Sequence, residues 1–223
     1  MNTYLRARGF GLGRTLPLVA LLIASVLPAE ASAQANGGEA ASAGVASVRS
    51  KAPRAIRVGG VVRVEGALRS ERKRRVVVLE LRSRSGWRVV DRDPTARGGR
   101  FETAWRPATV GSYRLRVRSI DARAARTADR VVDVYRSSAA SWFGPGLYGR
   151  RTACGHTLAP GLVGVAHKSL PCGTRVRFRY GGRSVVAPVI DRGPYAGGRE
   201  WDLTAATKRA LGFPSTGAVL SNH

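Results

Sequence analysis

The sequence predicts an all-β protein. Two observations carry that reading: from Ile56 onward the chain breaks into short β-type runs separated by turn residues, and one stretch alone, Leu203 to Leu211, has the character of a short helix. A change of composition near residue 138, toward more glycine and longer loops, divides the chain into two domains.

Residues 1–33 read as a secretory signal peptide, because Arg6, Arg8 and Arg14 precede an apolar run from Leu16 to Leu27 and the small-residue triplet Ala31-Ser32-Ala33. That run is interrupted by Pro17 and is too short to span a bilayer, so no integral membrane segment is expected after cleavage. The region holds no cysteine, so a lipoprotein anchor is not expected either. Residues 34–50, rich in Ala, Gly and Ser without periodicity, read as a flexible leader.

Residues 51–136 contain β-type runs at 56–68, 75–82, 87–90, 101–105, 113–118 and 130–135. Alternation is clearest in Tyr113-Arg114-Leu115-Arg116-Val117-Arg118, whose one face is apolar and whose other face is all arginine, as in a half-buried antiparallel strand. Gly59-Gly60, Ser85-Gly86, Asp93-Pro94 and Gly98-Gly99 supply the turns. Six or seven such strands in roughly 90 residues predict an immunoglobulin-like β-sandwich. Trp87 and Trp105 are expected in its core, and with no clustered catalytic set this domain reads as a spacer or binding module.

The formal charge is +24, and removing three arginines and Glu30 with the signal peptide leaves +22. Outside a cell such a chain meets teichoic phosphates, stem-peptide carboxylates or anionic lipid, so anionic wall polymers are an expected partner and nucleic acid is not. Only four of the 38 basic residues are lysine, so codon usage accounts for the arginine excess equally well. Cys154 and Cys172 are an even count in an oxidising compartment and favour one disulfide. A zinc site of Cys154, His156, His167 and Cys172 is the rival, although its spacing matches no familiar zinc module; no metal or other cofactor is expected.

In residues 138–223, Val176, Phe178 and Tyr180 alternate with Arg175, Arg177 and Arg179, and Gly181-Gly182 turns the chain into a second strand ending at Asp191. Period-two alternation places Asp191 with Val189 and Ala187, and Gly193-Pro194 ends the strand. Six blocks follow one another in order: Ser141-Trp142-Phe143-Gly144-Pro145, Gly149-Arg150-Arg151-Thr152-Ala153, Val165-Ala166-His167-Lys168-Ser169-Leu170-Pro171, Cys172-Gly173-Thr174, Val189-Ile190-Asp191-Arg192-Gly193-Pro194-Tyr195 and Trp201-Asp202-Leu203-Thr204-Ala205-Ala206. Over about 85 of the 223 residues this series resembles the rare lipoprotein A (RlpA)-like domain. The resemblance implies a six-stranded double-psi β-barrel with one short helix. It also implies a location in the periplasm or at the cell wall, and activity as a peptidoglycan lytic transglycosylase.

Glycoside cleavage needs a proton donor at the departing oxygen. Between Ala139 and His223 the only acidic residues are Asp191, Glu200 and Asp202. Asp202 precedes the predicted helix and is expected to cap it, with a part in substrate binding as the second reading; Glu200, in a Gly-Gly-Arg-Glu turn, is expected to be an exposed charge. That leaves Asp191 as the catalytic carboxyl, and the resemblance points to the same residue and to His167 beside it. Such an enzyme needs no activated water. The N-acetylmuramyl C6 hydroxyl attacks its own C1, breaking the MurNAc–GlcNAc bond and leaving a 1,6-anhydro end. Trp142, Tyr148 and Tyr195 are candidate sugar platforms, and His156, which stands where many members of the family carry an acidic residue, is a further candidate substrate contact. The alternative is a non-catalytic, expansin-like protein that binds and loosens wall polysaccharide.

Overall fold

The computed structural model describes residues 46–69, 74–121, 125–195 and 197–223. The expected signal peptide and the leader up to residue 45 lie outside them. Eight strands come first: β1 (Ser47–Lys51), β2 (Ala55–Arg57), β3 (Val62–Arg69), β4 (Val76–Ser83), β5 (Gly86–Pro94), β6 (Arg100–Trp105), β7 (Gly111–Ser119) and β8 (Arg130–Phe143). The predicted run 56–68 is thus two strands, parted at Gly59-Gly60. The end of the expected leader is strand too, because residues 47–51 ladder antiparallel with β3 and Val48 packs on the core.

β1, β3 and β6 form one sheet, while β5, β4, β7 and the first half of β8 form another, with β2 parallel to β8. Their apolar faces meet in one cluster: Val62, Val64 and Leu68 of β3 and Phe101 of β6 against Val77, Leu79 and Leu81 of β4, Leu115 and Val117 of β7, and Val132 of β8. Each fully buried aliphatic contributes about 1.5–3 kcal/mol. Gly66 has no alternative, since a Cβ there would overlap both the Arg49 carbonyl and the Phe101 ring. Trp105 packs at the edge of this core, edge-on to Tyr113 at 4.8 Å. Trp87 does not join it: its face carries the Arg116 guanidinium at 4.0 Å. On the other face of the second sheet, buried Glu80 receives Arg116 Nε–H at 2.6 Å and Arg118 Nε–H at 3.0 Å.

β8 is 14 residues long and runs straight through the domain boundary expected near residue 138. Its second half belongs to another sheet, built with β9 (Val165–Ala166), β10 (Arg175–Tyr180), β11 (Arg183–Asp191), β12 (Trp201–Thr204) and β13 (Gly217–Ser221). The ladder β8-β13-β10-β11-β9-β12 returns to β8 and closes six strands into a barrel. Its interior holds Ala140, Val165, Val176, Phe178, Ala187, Val189, Trp201, Leu203 and Val219. β10 and β11 pair around Gly181-Gly182 as the sequence predicts, from Tyr180↔Arg183 to Arg175↔Pro188.

The one α-helix among the described residues, α1 (Ala205–Leu211), starts two residues later than predicted. Its cap is Thr204, whose hydroxyl accepts Thr207 N–H, and Gly212 ends it in the left-handed conformation at φ 65°. Asp202 is therefore not the cap, because residues 201–204 are held as strand between β8 and β9. No helix among the described residues is long and apolar enough to cross a membrane.

Candidate active site

A row of four paired residues crosses the barrel: Ser141 on β8, Asp202 on β12, Ala166 on β9 and Asp191 on β11. The neighbouring row is Trp142, Leu203, Val165 and Val189, of which the last three are fully buried. Strict alternation would have put Asp191 with Val189, facing inward. The structure departs from this: Val189 pairs with Val165 and Asp191 with Ala166, so two steps along β11 match one along β9. The extra residue, Ile190, is a bulge that turns Asp191 onto the face of Asp202, a device common beside functional sites. Ile190 is itself locked, buried against Gly164, where a Cβ would come within 2.5 Å of its side chain.

Asp191 is half-buried at the strand end. Its Oδ1 accepts Ala153 N–H at 2.8 Å and Arg192 N–H at 2.9 Å. Oδ2 has no protein partner among the described residues. Ala153 is adjacent to Cys154, which is disulfide-bonded to Cys172. Both sulfurs are consumed in that bond, so the four-ligand zinc set loses its two thiolates. The Arg192 guanidinium donates to Cys172 Sγ at 3.3 Å and to the Asp191 carbonyl at 3.4 Å, which ties disulfide and strand end together.

Asp202 is half-buried, and its Oδ1 accepts the Ser141 hydroxyl at 2.8 Å. Burial pushes its carboxyl above the ordinary range, and the charge of Asp191 adds to the rise; the Ser141 hydrogen bond and Arg199 work the other way.

His167 meets Asp191 through the backbone, donating N–H to the Asp191 carbonyl at 3.2 Å. Its imidazole is engaged elsewhere. Nδ1 accepts Leu170 N–H at 3.0 Å and Ser169 N–H at 3.2 Å, so in the neutral ring the proton resides on Nε2. The ring packs on buried Trp201 at 4.6 Å. Burial holds His167 below its ordinary range, opposed by Glu200, whose Oε1 is 4.0 Å from Nε2. Glu200 is not the exposed turn charge expected. It is half-buried in a bidentate pair with Arg136, including a 2.7 Å bond from Nη1 to Oε2. Sequence reasoning missed this pair because the partners are 64 residues apart and meet only when β12 lies beside β8.

The other expected contacts are spread around this row. Trp142 falls in the core-facing register, packs on the barrel core, and has the Lys208 ammonium 3.9 Å from its ring centroid. Tyr195 is 79% exposed beyond the end of β11, and Tyr148 is exposed in the turn after β8. His156 is exposed in the loop that also carries Ala153, its main chain bonded to Thr152. Two cavities lie beside the first sheets, one of about 800 Å³ beside β3 and β6 and another of about 700 Å³ beside β1 and the start of β8. In the first, Asp93 accepts Glu102 N–H and Glu102 pairs with Arg63.

Residues 136–220 match the family model described as lytic transglycolase. This barrel is RlpA-like. A probable endolytic peptidoglycan transglycosylase RlpA from Synechocystis is 44% identical over 104 residues, 46% of this chain and 30% of that protein. The endolytic peptidoglycan transglycosylase RlpA of Neisseria meningitidis serogroup A is 32% identical over 126 residues, 53% of each chain. A further probable RlpA, from Nostoc, is 46% identical over 78 residues, 34% of this chain and 21% of that one. The chain thus spans between a fifth and about half the length of these RlpA relatives. Among solved structures, the CARDB domain of a Pyrococcus furiosus protein overlays 40% of this chain and 86% of that one with a TM-score of 0.32 and 14% identity, too distant to bear on the RlpA-like barrel or the strands before it.

Proposed function

We propose that this protein is an exported peptidoglycan lytic transglycosylase that breaks the MurNAc–GlcNAc bond and leaves a 1,6-anhydro end. The observation that carries the reading is Asp191: a half-exposed carboxyl at a rigid strand end, with one oxygen fixed by two main-chain donors and the other unpartnered, in a domain resembling proteins named for this activity. In this reading Asp191 Oδ2 exchanges protons with the sugar. As the C1–O4 bond breaks the departing oxygen takes a proton, and as the C6 hydroxyl closes on C1 its proton returns to the protein, so no water is consumed. His167 is the positioning residue. Its ring gathers the Ser169 and Leu170 amides, and its own N–H holds the backbone of Asp191.

Residues 138–223 form the catalytic domain in this proposal, and 51–136 an immunoglobulin-like β-sandwich that serves as a spacer or wall-binding module. Tyr148, His156 and Tyr195 line the approach for the glycan. Residues 1–33 direct export to the periplasm or the cell wall and are removed, and the arginine-rich surface favours anionic wall polymers. Digesting purified sacculi and analysing the soluble products by mass spectrometry tests the reading. 1,6-Anhydromuropeptides from the wild type and none from Asp191→Asn are expected. Binding to sacculi without any released product would instead identify a non-catalytic wall binder.

A further inference from the structure

Asp191 and Asp202 flank the same residue, since each is paired with Ala166 from opposite sides of β9. Their Cα atoms are therefore two strand spacings apart, about 10 Å, on one face of the barrel. The two carboxyl groups are held differently. The donors on Asp191 Oδ1 are backbone N–H groups, which can only donate, so that carboxyl is arranged to accept. The partner of Asp202 is the Ser141 hydroxyl, which rotates to serve a protonated or an ionised acid equally. Asp202 is also neither a helix cap nor paired with a cation at salt-bridge distance among the described residues.

We propose that Asp202 is a second catalytic carboxyl, the group that gives its proton to the departing sugar oxygen, while Asp191 acts as the base. This rests on the transglycosylase reading and replaces a single-residue proton cycle with a pair. The Asp202 O–H proton passes to O4 of the leaving GlcNAc as the C1–O4 bond breaks. The Asp191 carboxylate takes the C6 hydroxyl proton as the O6–C1 bond forms. Protein and products then balance, with Asp202 ionised and Asp191 protonated, and the proton returns between them through solvent. The charged groups that act on Asp202 are Asp191 from β11 and Arg199 just before β12, with Ser141 facing it from β8. Of these, burial and Asp191 favour the proton-holding form. Geometry separates the two groups: Asp191 faces two fixed N–H donors, whereas Asp202 faces a rotatable hydroxyl, and two carboxyl groups in unlike surroundings are the usual setting of an acid and base pair.

The test compares the full-length wild type, Asp202→Asn and Asp191→Asn on two substrates: peptidoglycan glycan, and a GlcNAc-MurNAc aryl glycoside whose phenolate leaves without protonation. Asp202→Asn should lose about 100-fold or more on glycan yet stay within a few fold of wild type on the aryl glycoside, whereas Asp191→Asn should fail on both. An Asp202→Asn protein as active as wild type on glycan, or equally impaired on both substrates with its thermal melt intact, would overturn the assignment. If the variant does not fold, carboxyl ¹³C NMR titration of the wild type decides: Asp202 should ionise above the ordinary aspartate value, and ionisation at or below it sinks the proposal. Failure of the wild type to release 1,6-anhydro products would refute the underlying transglycosylase reading separately, whatever Asp202 does.

Discussion

Ala153 donates its backbone N–H to Asp191 Oδ1 at 2.8 Å across 38 positions of chain, and the next residue, Cys154, is locked to Cys172. The disulfide therefore acts on the carboxyl through one peptide unit. Replacing Cys154 and Cys172 by serine should cost about 3 kcal/mol from the opened 18-residue loop. The turnover of the folded variant should also fall, with KM changed less than kcat. Thermal melts and initial rates with and without reductant measure both. A fully active reduced protein would show that Ala153 holds its place unaided.

Gly164→Ala probes the bulge. The added Cβ meets the Ile190 side chain at 2.5–3.0 Å, and Ile190 is buried and β-branched, so it cannot swing away cheaply. A destabilisation of about 1–3 kcal/mol is expected. Activity should drop further than folding does, because the displaced residue is the one that aims Asp191. Denaturant unfolding alongside product release separates the two effects.

His167 gives a pH signature. Burial lowers its folded pKa beneath the ordinary 6.5, so the unfolded chain binds more protons in that window. Stability from this site is fully present above about 6.5 and is lost as pH falls through the lower, folded value. Melting temperature should decline from pH 7 to pH 5, and His167→Gln should flatten that decline. An unchanged slope in the variant would assign the decline to other groups.

For Asp202 the sign is reversed. Its folded pKa is raised, so the site contributes stability below the unfolded value of 3.8 and loses it as pH rises through the folded one. At pH 7 Asp202→Asn should melt at a higher temperature than wild type, with the difference vanishing toward pH 3. A catalytic acid and a stability liability are here the same group. Equal melting temperatures at pH 7 would contradict this account.

Glu80 ties the arginine face of β7 to β4. Burial would raise its carboxyl, but the hydrogen bonds from Arg118 and Arg116 prevail and hold it below the ordinary range. Its contribution is thus present above pH 4.5 and fades in stronger acid. Glu80→Ala should cost about 2–3 kcal/mol at neutral pH, somewhat less than a fully buried pair because both arginines keep some solvent. Urea titration at pH 7 and pH 3 should show the cost shrinking in acid.

Much of this was legible in the sequence because it is local. The alternation of β7, the glycine hairpin between β10 and β11, and each single block of the barrel series are read within a dozen or so residues. What escaped is set by pairing between distant segments. The bulge at Ile190 is visible only against β9, so alternation alone grouped Asp191 with Val189 and Ala187. Asp202 read as a cap since Asp before a helical stretch usually is one, and only the strand ladder on both sides of Trp201–Thr204 moved the cap to Thr204. Glu200 read as a surface charge because its partner Arg136 stands on the other side of the barrel sequence. Residues 47–50 read as leader since small polar composition says nothing about a waiting sheet edge.

The 14-residue β8 has a thermodynamic corollary. Val132 and Val134 are buried among the first sheets and Ala140 in the barrel, all on one uninterrupted strand that pairs with β7 over residues 130–134 and with β13 over 136–140, so the two cores share a continuous backbone with no linker between them. The molecule should melt in one cooperative step, with no half-folded species in which a working barrel outlives the sheets ahead of it.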